Sequence, residues 1–213
     1  ASDSVLRTLS LAEACYMNIS LADACTQILR LSNCAIVTEY DLWLIICRLF
    51  VSRRIGETRL NVRKKIPDPQ HLTRTVKTLR RLGLLNLDPD FGGRVYRFTD
   101  LPDHTPEELA CYVDPFSYVS HLSAMNIHGV TDRVPNALAI TTASRQIWRK
   151  LANEKSRRDF EELPVDMAAD VSQKLPHYKM PKKIRGRLID THESRFLGAS
   201  DRLRSPVAAV STI

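Results

Sequence analysis

The chain lacks any apolar run long enough to span a membrane. Its longest, "LWLIICRLFV", covers about ten residues and contains Arg48, against roughly twenty for a bilayer helix. The opening "ASDSVLRTL" has no hydrophobic core of the signal-peptide kind, so a cytoplasmic protein is expected. The five cysteines, Cys15, Cys25, Cys34, Cys47 and Cys111, are odd in number and irregularly spaced. None forms a Cys-x-x-Cys pair, and neither His177 nor His192 falls near one, which excludes a disulfide framework and a zinc site of ordinary spacing. Buried free thiols in a reducing compartment fit better. No glycine-rich phosphate loop precedes "DFGG" (residues 90–93), which excludes a kinase reading and leaves a turn. His71, His104, His121, His128, His177 and His192 have no nucleophile partner that spacing identifies. Asp166, Asp170 and Lys174, or Asp190, Glu193 and Arg195, could be drawn into a metal-binding nuclease cluster. Their spacing is equally that of a solvated face. Neither catalysis, a metal nor a cofactor is expected.

What is present is positive charge, concentrated in one place. The 213 residues carry 31 Lys+Arg against 24 Asp+Glu, a formal net charge of +7. Between Arg48 and Arg97 there are 13 basic and 4 acidic residues, net +9, so the remainder is slightly acidic. An anionic partner therefore meets this segment.

Thr38 with Asp41 three residues on forms a capping-box pattern, and the helix it starts, through "EYDLWLIICRLFVSRR", is apolar on most sides and belongs in the core. Before it, the first thirty residues read as helix broken near "MNIS", with a stripe of Leu21, Ala24, Cys25, Ile28 and Leu31. That stripe either packs on the following helices or forms a dimer contact. After the basic "IGETRLNVRKKIPDPQ", Asp68 caps and Pro69 opens a helix that Gly83 closes. "LLNLDP" and "RVYRFT" then flank "DFGG" as a hairpin. This order predicts a winged helix-turn-helix.

On the Pro69 helix, Leu72, Val76, Leu79 and Leu82 share one sector and Gln70, Arg74, Lys77 and Arg81 the opposite one, with Thr73 and Thr78 on the flanks. The polar face holds no carboxylate, whereas a solvated face ordinarily mixes both signs. Arg pairs with guanine, Gln with adenine, and Thr with a thymine methyl or a phosphate, so these six residues are the candidate base readers in a major groove. Arg53, Arg54, Arg63, Lys64, Lys65, His71, Arg94 and Arg97 are the candidate phosphate contacts.

"DLPDHTPEEL" reads as a connector, with the domain boundary between Pro102 and Pro106. Beyond it, a short helix ending at Gly129, a buried strand "ALAITT", a basic polar stretch "SRQIWRKLANEKSRRDFEELP", and strands at "GRLIDTHES" and "SPVAAVST" make a mixed α/β half. The fold class expected is α+β: N-terminal helices at 1–37, a winged helix at 38–101, and a smaller α/β domain at 107–213. The chain begins with Ala and stops in an apolar strand-like run, so a piece cut in mid-domain is expected.

The segment "YVSHLSAMNIHGVTDRVPNALAITT", residues 118–142, resembles the central signature of AbiEi-family antitoxins at Tyr118, Val119, Ser120, Ser123, Ala124, His128, Gly129, Thr131, Pro135, Thr141 and Thr142. "HESRFLGASDRLRSPVAAVST" is similar to that family's later passage towards a strand ending in Ser/Thr. The helices before Thr38 depart from compact family members. The resemblance implies a winged helix that represses its own operon at inverted repeats and a second domain that supports neutralisation of a cognate nucleotidyltransferase-like toxin; on such repeats a homodimer, or two copies, is expected. It also implies that the 120–129 segment is structural, with Ser120 as a helix cap. The competing readings are a winged-helix module that binds protein or RNA in a defence or nucleic-acid-processing assembly, and an enzyme acting on nucleic acid.

Overall fold

A computed structural model of the protein describes residues 18–197, 200–202 and 209–211. The helix expected before Asn18, Cys15, and most of the final strand run lie outside them. The fold is mixed α+β.

The chain runs through β1 (Asn18–Ile19), α1 (Leu21–Ser32), β2 (Ile36–Thr38), α2 (Glu39–Ser52), β3 (Arg54–Ile55), β4 (Thr58–Leu60), α3 (Pro69–Arg81), β5 (Leu85–Leu87) and β6 (Val95–Phe98). Local chemistry sets the ends of the helices. Ser20 accepts the N–H of Asp23 at the start of α1, and at α2 Thr38 and Asp41 exchange side-chain and backbone hydrogen bonds as a capping box. Asp68 accepts the N–H groups of Gln70 and His71 at 2.9 and 3.2 Å to start α3. Its C-terminus is a Schellman turn: the Gly83 N–H reaches the Arg80 carbonyl and the Leu84 N–H that of Leu79, both at 3.0 Å, with Gly83 at φ 72°. In β2-β6-β5 every pairing is antiparallel, and β1-β4-β3 forms a second small sheet.

The second half comprises α4 (Pro106–Val113), β7 (Tyr118–Val119), α5 (His121–Ile127), β8 (Ala137–Ala143), α6 (Arg145–Glu161), α7 (Val165–Val171), β9 (Lys183–Ile184), β10 (Arg187–Ser194), β11 (Ser200–Arg202) and β12 (Ala209–Ser211). The strands form one sheet in the order β11-β12-β7-β8-β10-β9. β8 and β10 lie parallel from Ala137↔Leu188 to Ala143↔Ser194, and α6 and α7 lie between them in the chain.

Packing does not follow the expected division of the chain. α2 is buried at Tyr40, Leu42, Trp43, Leu44, Ile46, Cys47, Leu49 and Phe50, as its apolar composition requires. The core around it takes in Ala24, Cys25 and Leu29 of α1, Leu72 and Leu79 of α3, and also Trp148, Ala152 and Phe160 of α6 and Val171 of α7. Trp43 Nε1 donates to the Val171 carbonyl at 2.8 Å, and the Tyr40 hydroxyl to Asp159 at 2.9 Å. A second core joins Cys34, Ile36 and Val95 to Leu109, Val113, Leu138 and Ile140. Both cores draw on residues from either side of Pro102–Pro106, so that segment marks a shift in composition and not a break in packing. Its C-terminal end starts α4, where Thr105 and Glu108 form a capping box behind Pro106.

Several expectations need correction in detail. Of the expected α1 stripe, Ala24 and Cys25 are buried and Leu21 and Ile28 pack partly buried against the core, with Ala22, Thr26 and Leu29 buried beside them, but Leu31 stands 82 % exposed. It packs on α2 and α3 and belongs to the same unit as they do. Leu82 is exposed beyond the last turn of α3, and Thr75 takes the buried place beside Leu79. Ser120 stands at the N-cap of α5, but its side chain makes no capping bond: the hydroxyl accepts from Thr141 at 2.8 Å and lies 2.8 Å from His121 Nδ1. The basic stretch after Ser144 is a 17-residue helix, α6. Cys25, Cys34, Cys47 and Cys111 are buried free thiols, and burial pushes Cys25 and Cys47 up to about 12. No helix among the described residues is long and apolar enough to cross a membrane.

Candidate nucleic-acid interface

α3 fixes the geometry of the basic segment. Leu72, Thr75 and Leu79 anchor it, so the opposite side is set towards solvent: Gln70, Thr73, Arg74, Lys77, Arg80 and Arg81 are all exposed. Four of these six are cationic, the helix holds no carboxylate, and among the described residues none of the four forms an ion pair with one. Arg74 donates to Gln70 Oε1 at 3.0 Å, one turn back, so these two candidate readers are already oriented towards each other. Thr73 Oγ1 bonds the Pro69 carbonyl at 3.2 Å. Thr73, Val76, Lys77, Arg80 and Arg81 line a groove of about 460 Å³ closed on its far side by Asn86 of β5. Arg80 and Asn86 were not among the candidates. Arg80 lies three residues after Lys77, one helical turn, which is the signal that could have found it. Thr78 is half-buried and lines a different cleft, shared with Ser20, Leu21 and Ala22 at the start of α1.

The candidate phosphate contacts divide into two groups. Arg54, Arg63 and Lys65 are exposed and without ion pairs among the described residues. Arg54 faces Arg59 directly across the β3–β4 hairpin, both exposed. Two like charges directly opposite in an antiparallel pair destabilise it, so this hairpin gains by meeting an anion. Arg59, too, was not anticipated.

The other group already has partners within the protein. Arg53 adopts a left-handed conformation at the end of α2, lays its guanidinium 5.4 Å from the Phe50 ring centre and donates to the Lys65 carbonyl at 2.9 Å. His71 Nδ1 accepts the Asp68 N–H at 3.0 Å, completing the capping box, and the ring stands edge-on to Phe50 at 4.9 Å. Both residues hold the approach to α3 in place. Lys64 pairs with Asp68 at 2.5 Å, and that hydrogen bond is the main reason the Asp68 carboxyl lies below the usual range. Arg94 pairs with Glu39 at 3.2 Å and Arg97 with Asp103 at 3.4 Å.

The β5–β6 hairpin is also clasped from below. Arg185, in the β9–β10 turn, reaches Asp88 at 2.6 Å, Asp90 at 2.5 Å and Asp103 at 2.8 Å. Asp88 and Asp90 belong to the turn that ends in "DFGG", so the turn is fastened to the far end of the six-stranded sheet. Arg185 pays for this position with a left-handed φ of 50°. Burial opposes ionisation of Asp103, but its bonds to Arg185 and the charges of Arg185 and Arg97 prevail and hold its carboxyl below the usual range.

Of the two carboxylate groupings that spacing offered, the one at Asp190, Glu193 and Arg195 does not assemble. Asp190 and Glu193 are three apart on a strand and so project from opposite faces, and Asp190 pairs with His192 at 3.2 Å. The side chain of Asp166 lies outside the described residues. Among the described residues no group of three or more His, Cys, Asp or Glu is placed to hold a metal. No protein-family model matches the chain, and no curated protein matches it.

Proposed function

We propose that the protein is a sequence-specific DNA-binding repressor with a winged-helix reading head, of the AbiEi antitoxin type. The observation that carries the DNA reading is the outer face of α3, six exposed side chains of which four are cationic and none acidic. The succession α1, β2, α2, α3, β5, β6, with β2-β6-β5 as one antiparallel sheet, supports a winged helix, since it presents α3 outward from a helical core with a hairpin behind it. In this reading Gln70, Arg74, Lys77 and Arg81 reach base edges, Arg80 and Asn86 border the groove, and Arg54, Arg59, Arg63 and Lys65 meet phosphates. The antitoxin role, the inverted-repeat operator and the toxin partner rest on the resemblance at residues 118–142.

The test is fluorescence anisotropy with DNA from immediately upstream of the protein's own coding sequence, against a scrambled duplex, across a salt series. Tight, salt-sensitive and sequence-dependent binding is the outcome the reading requires; equal affinity for both duplexes would contradict it. One observation favours a second reading, a module that docks on protein or RNA: Arg94 and Arg97 of the hairpin pair with Glu39 and Asp103, and its turn is tied to Arg185, so less of its charge is open to phosphates. Binding to structured RNA with no preference for the upstream duplex would select that reading.

A further inference from the structure

At the carboxyl ends of the parallel strands β8 and β10 lies a cavity of about 790 Å³, remote in the chain from α3. Its floor is Thr142, Thr191 and Glu193, with Thr142 and Glu193 register partners across the two strands. Arg145 and Arg149, one turn apart on α6, and Lys179 surround the opening. All three are exposed, and none forms an ion pair among the described residues. Two acids are present. Asp114 is turned inward and already satisfied, accepting from Thr142 Oγ1, from Trp148 Nε1 at 3.0 Å and from the Phe116 N–H at 3.1 Å. That leaves Glu193 as the one acid facing three unpaired cations. The remaining wall is aromatic: Trp148, held by Asp114, stands edge-on to exposed His177 at 4.7 Å, with Tyr178 beside it.

We propose that this cavity binds a small phosphorylated aromatic ligand of the mononucleotide class. Arg145, Arg149 and Lys179 take the phosphate, where charge-assisted bonds from guanidinium groups are strongest. His177, Tyr178 and Trp148 flank the ring. Glu193 and Thr191 accept from hydroxyl groups of the sugar. The volume lies in the range of ligand cavities, and cationic and aromatic side chains converge on it at the carboxyl ends of the parallel pair β8 and β10.

Isothermal titration of the whole chain with AMP tests the assignment, with inorganic phosphate and adenosine as the two halves of the ligand. AMP is expected to bind one to one, and at least tenfold more tightly than either half. Arg145→Ala combined with Arg149→Ala should weaken AMP at least tenfold while leaving the urea midpoint unchanged, because both side chains are exposed and unpaired. Arg81→Ala on α3 should leave AMP binding unaltered. No heat of binding with AMP up to roughly 1 mM would overturn the proposal. So would loss of AMP binding in the α3 variant in place of the cavity variant. Phosphate binding as tightly as AMP would remove the aromatic part of it.

Discussion

Replacing Arg185 by Ala removes the one cation shared by Asp88, Asp90 and Asp103. Side-chain exposures are 18 % for Arg185 and 0, 21 and 28 % for the three acids, so screening by water is limited. Asp88 keeps the N–H groups of Asp90 and Phe91 at 2.9 and 3.1 Å, which stop it from being orphaned. Asp88 and Asp90 are nevertheless left without a cation, and Asp103 keeps only Arg97 at 3.4 Å. Breaking a buried pair of this kind costs about 3–5 kcal/mol, and the retained bonds place the expected loss near the lower end, about 3 kcal/mol. Urea unfolding followed by the fluorescence of the buried Trp43 and Trp148 measures it. Because Arg185 sits at φ 50°, Arg185→Gly should cost roughly 1 kcal/mol less than Arg185→Ala, which separates backbone strain from lost charge. In Asp88→Asn the effect of removing Arg185 should shrink. A loss below about 1 kcal/mol for Arg185→Ala would refute the reasoning, since it would make the clasp no stronger than a surface ion pair.

Acid should act through the same cluster. Asp103 has a lowered folded pKa, so its contribution is fully present above the ordinary value of 3.8 and is lost as pH falls through the lower folded value. The stability gap between the natural chain and Arg185→Ala should therefore narrow below pH 3.8 in acid titrations of the urea midpoint; a constant gap would contradict the linkage. Trp43→Phe should cost about 1–3 kcal/mol by leaving the buried Val171 carbonyl without its donor, and a shift in midpoint near zero would show that α2 and α7 are not joined as described. Gly83→Ala should cost roughly 1–2 kcal/mol through its left-handed φ alone, because an added Cβ meets nothing within 4 Å. Thermal unfolding reads that out.

The elements with strong end signals were the ones that could be read without a structure. Asp68-Pro69, Thr38 with Asp41, and Gly83 each fix a boundary by local hydrogen bonding, and the helices begin and end where those residues place them. β8 was equally readable from a continuous apolar run. α6 was missed although its buried positions, Trp148, Ala152, Ser156 and Phe160, recur every fourth residue, because two of the four are small or polar and the stripe is narrow among charges. The contact of α1 with α3 was open because a single apolar stripe says that something covers it and not what does. Within the interface, exposure on α3 followed from periodicity, but the commitment of His71, Arg53, Arg94 and Arg97 depended on ring packing or on partners as distant in the chain as Glu39 is from Arg94. Arg94 reaches back to Glu39, and Arg185 reaches Asp88 across most of the second half of the chain. Pairings of that reach leave no spacing pattern to read.

The central claim is that the outer face of α3 reads DNA, and the salt dependence of binding by α3 variants tests it most directly. Arg74→Ala should lose about 1–3 kcal/mol on the upstream duplex and little on the scrambled one, narrowing the preference at one base position. Arg54→Ala should weaken both duplexes alike and lower the steepness of the log-affinity against log-salt line by about one. Equal losses on both duplexes for both variants, or no loss for either, would contradict the account.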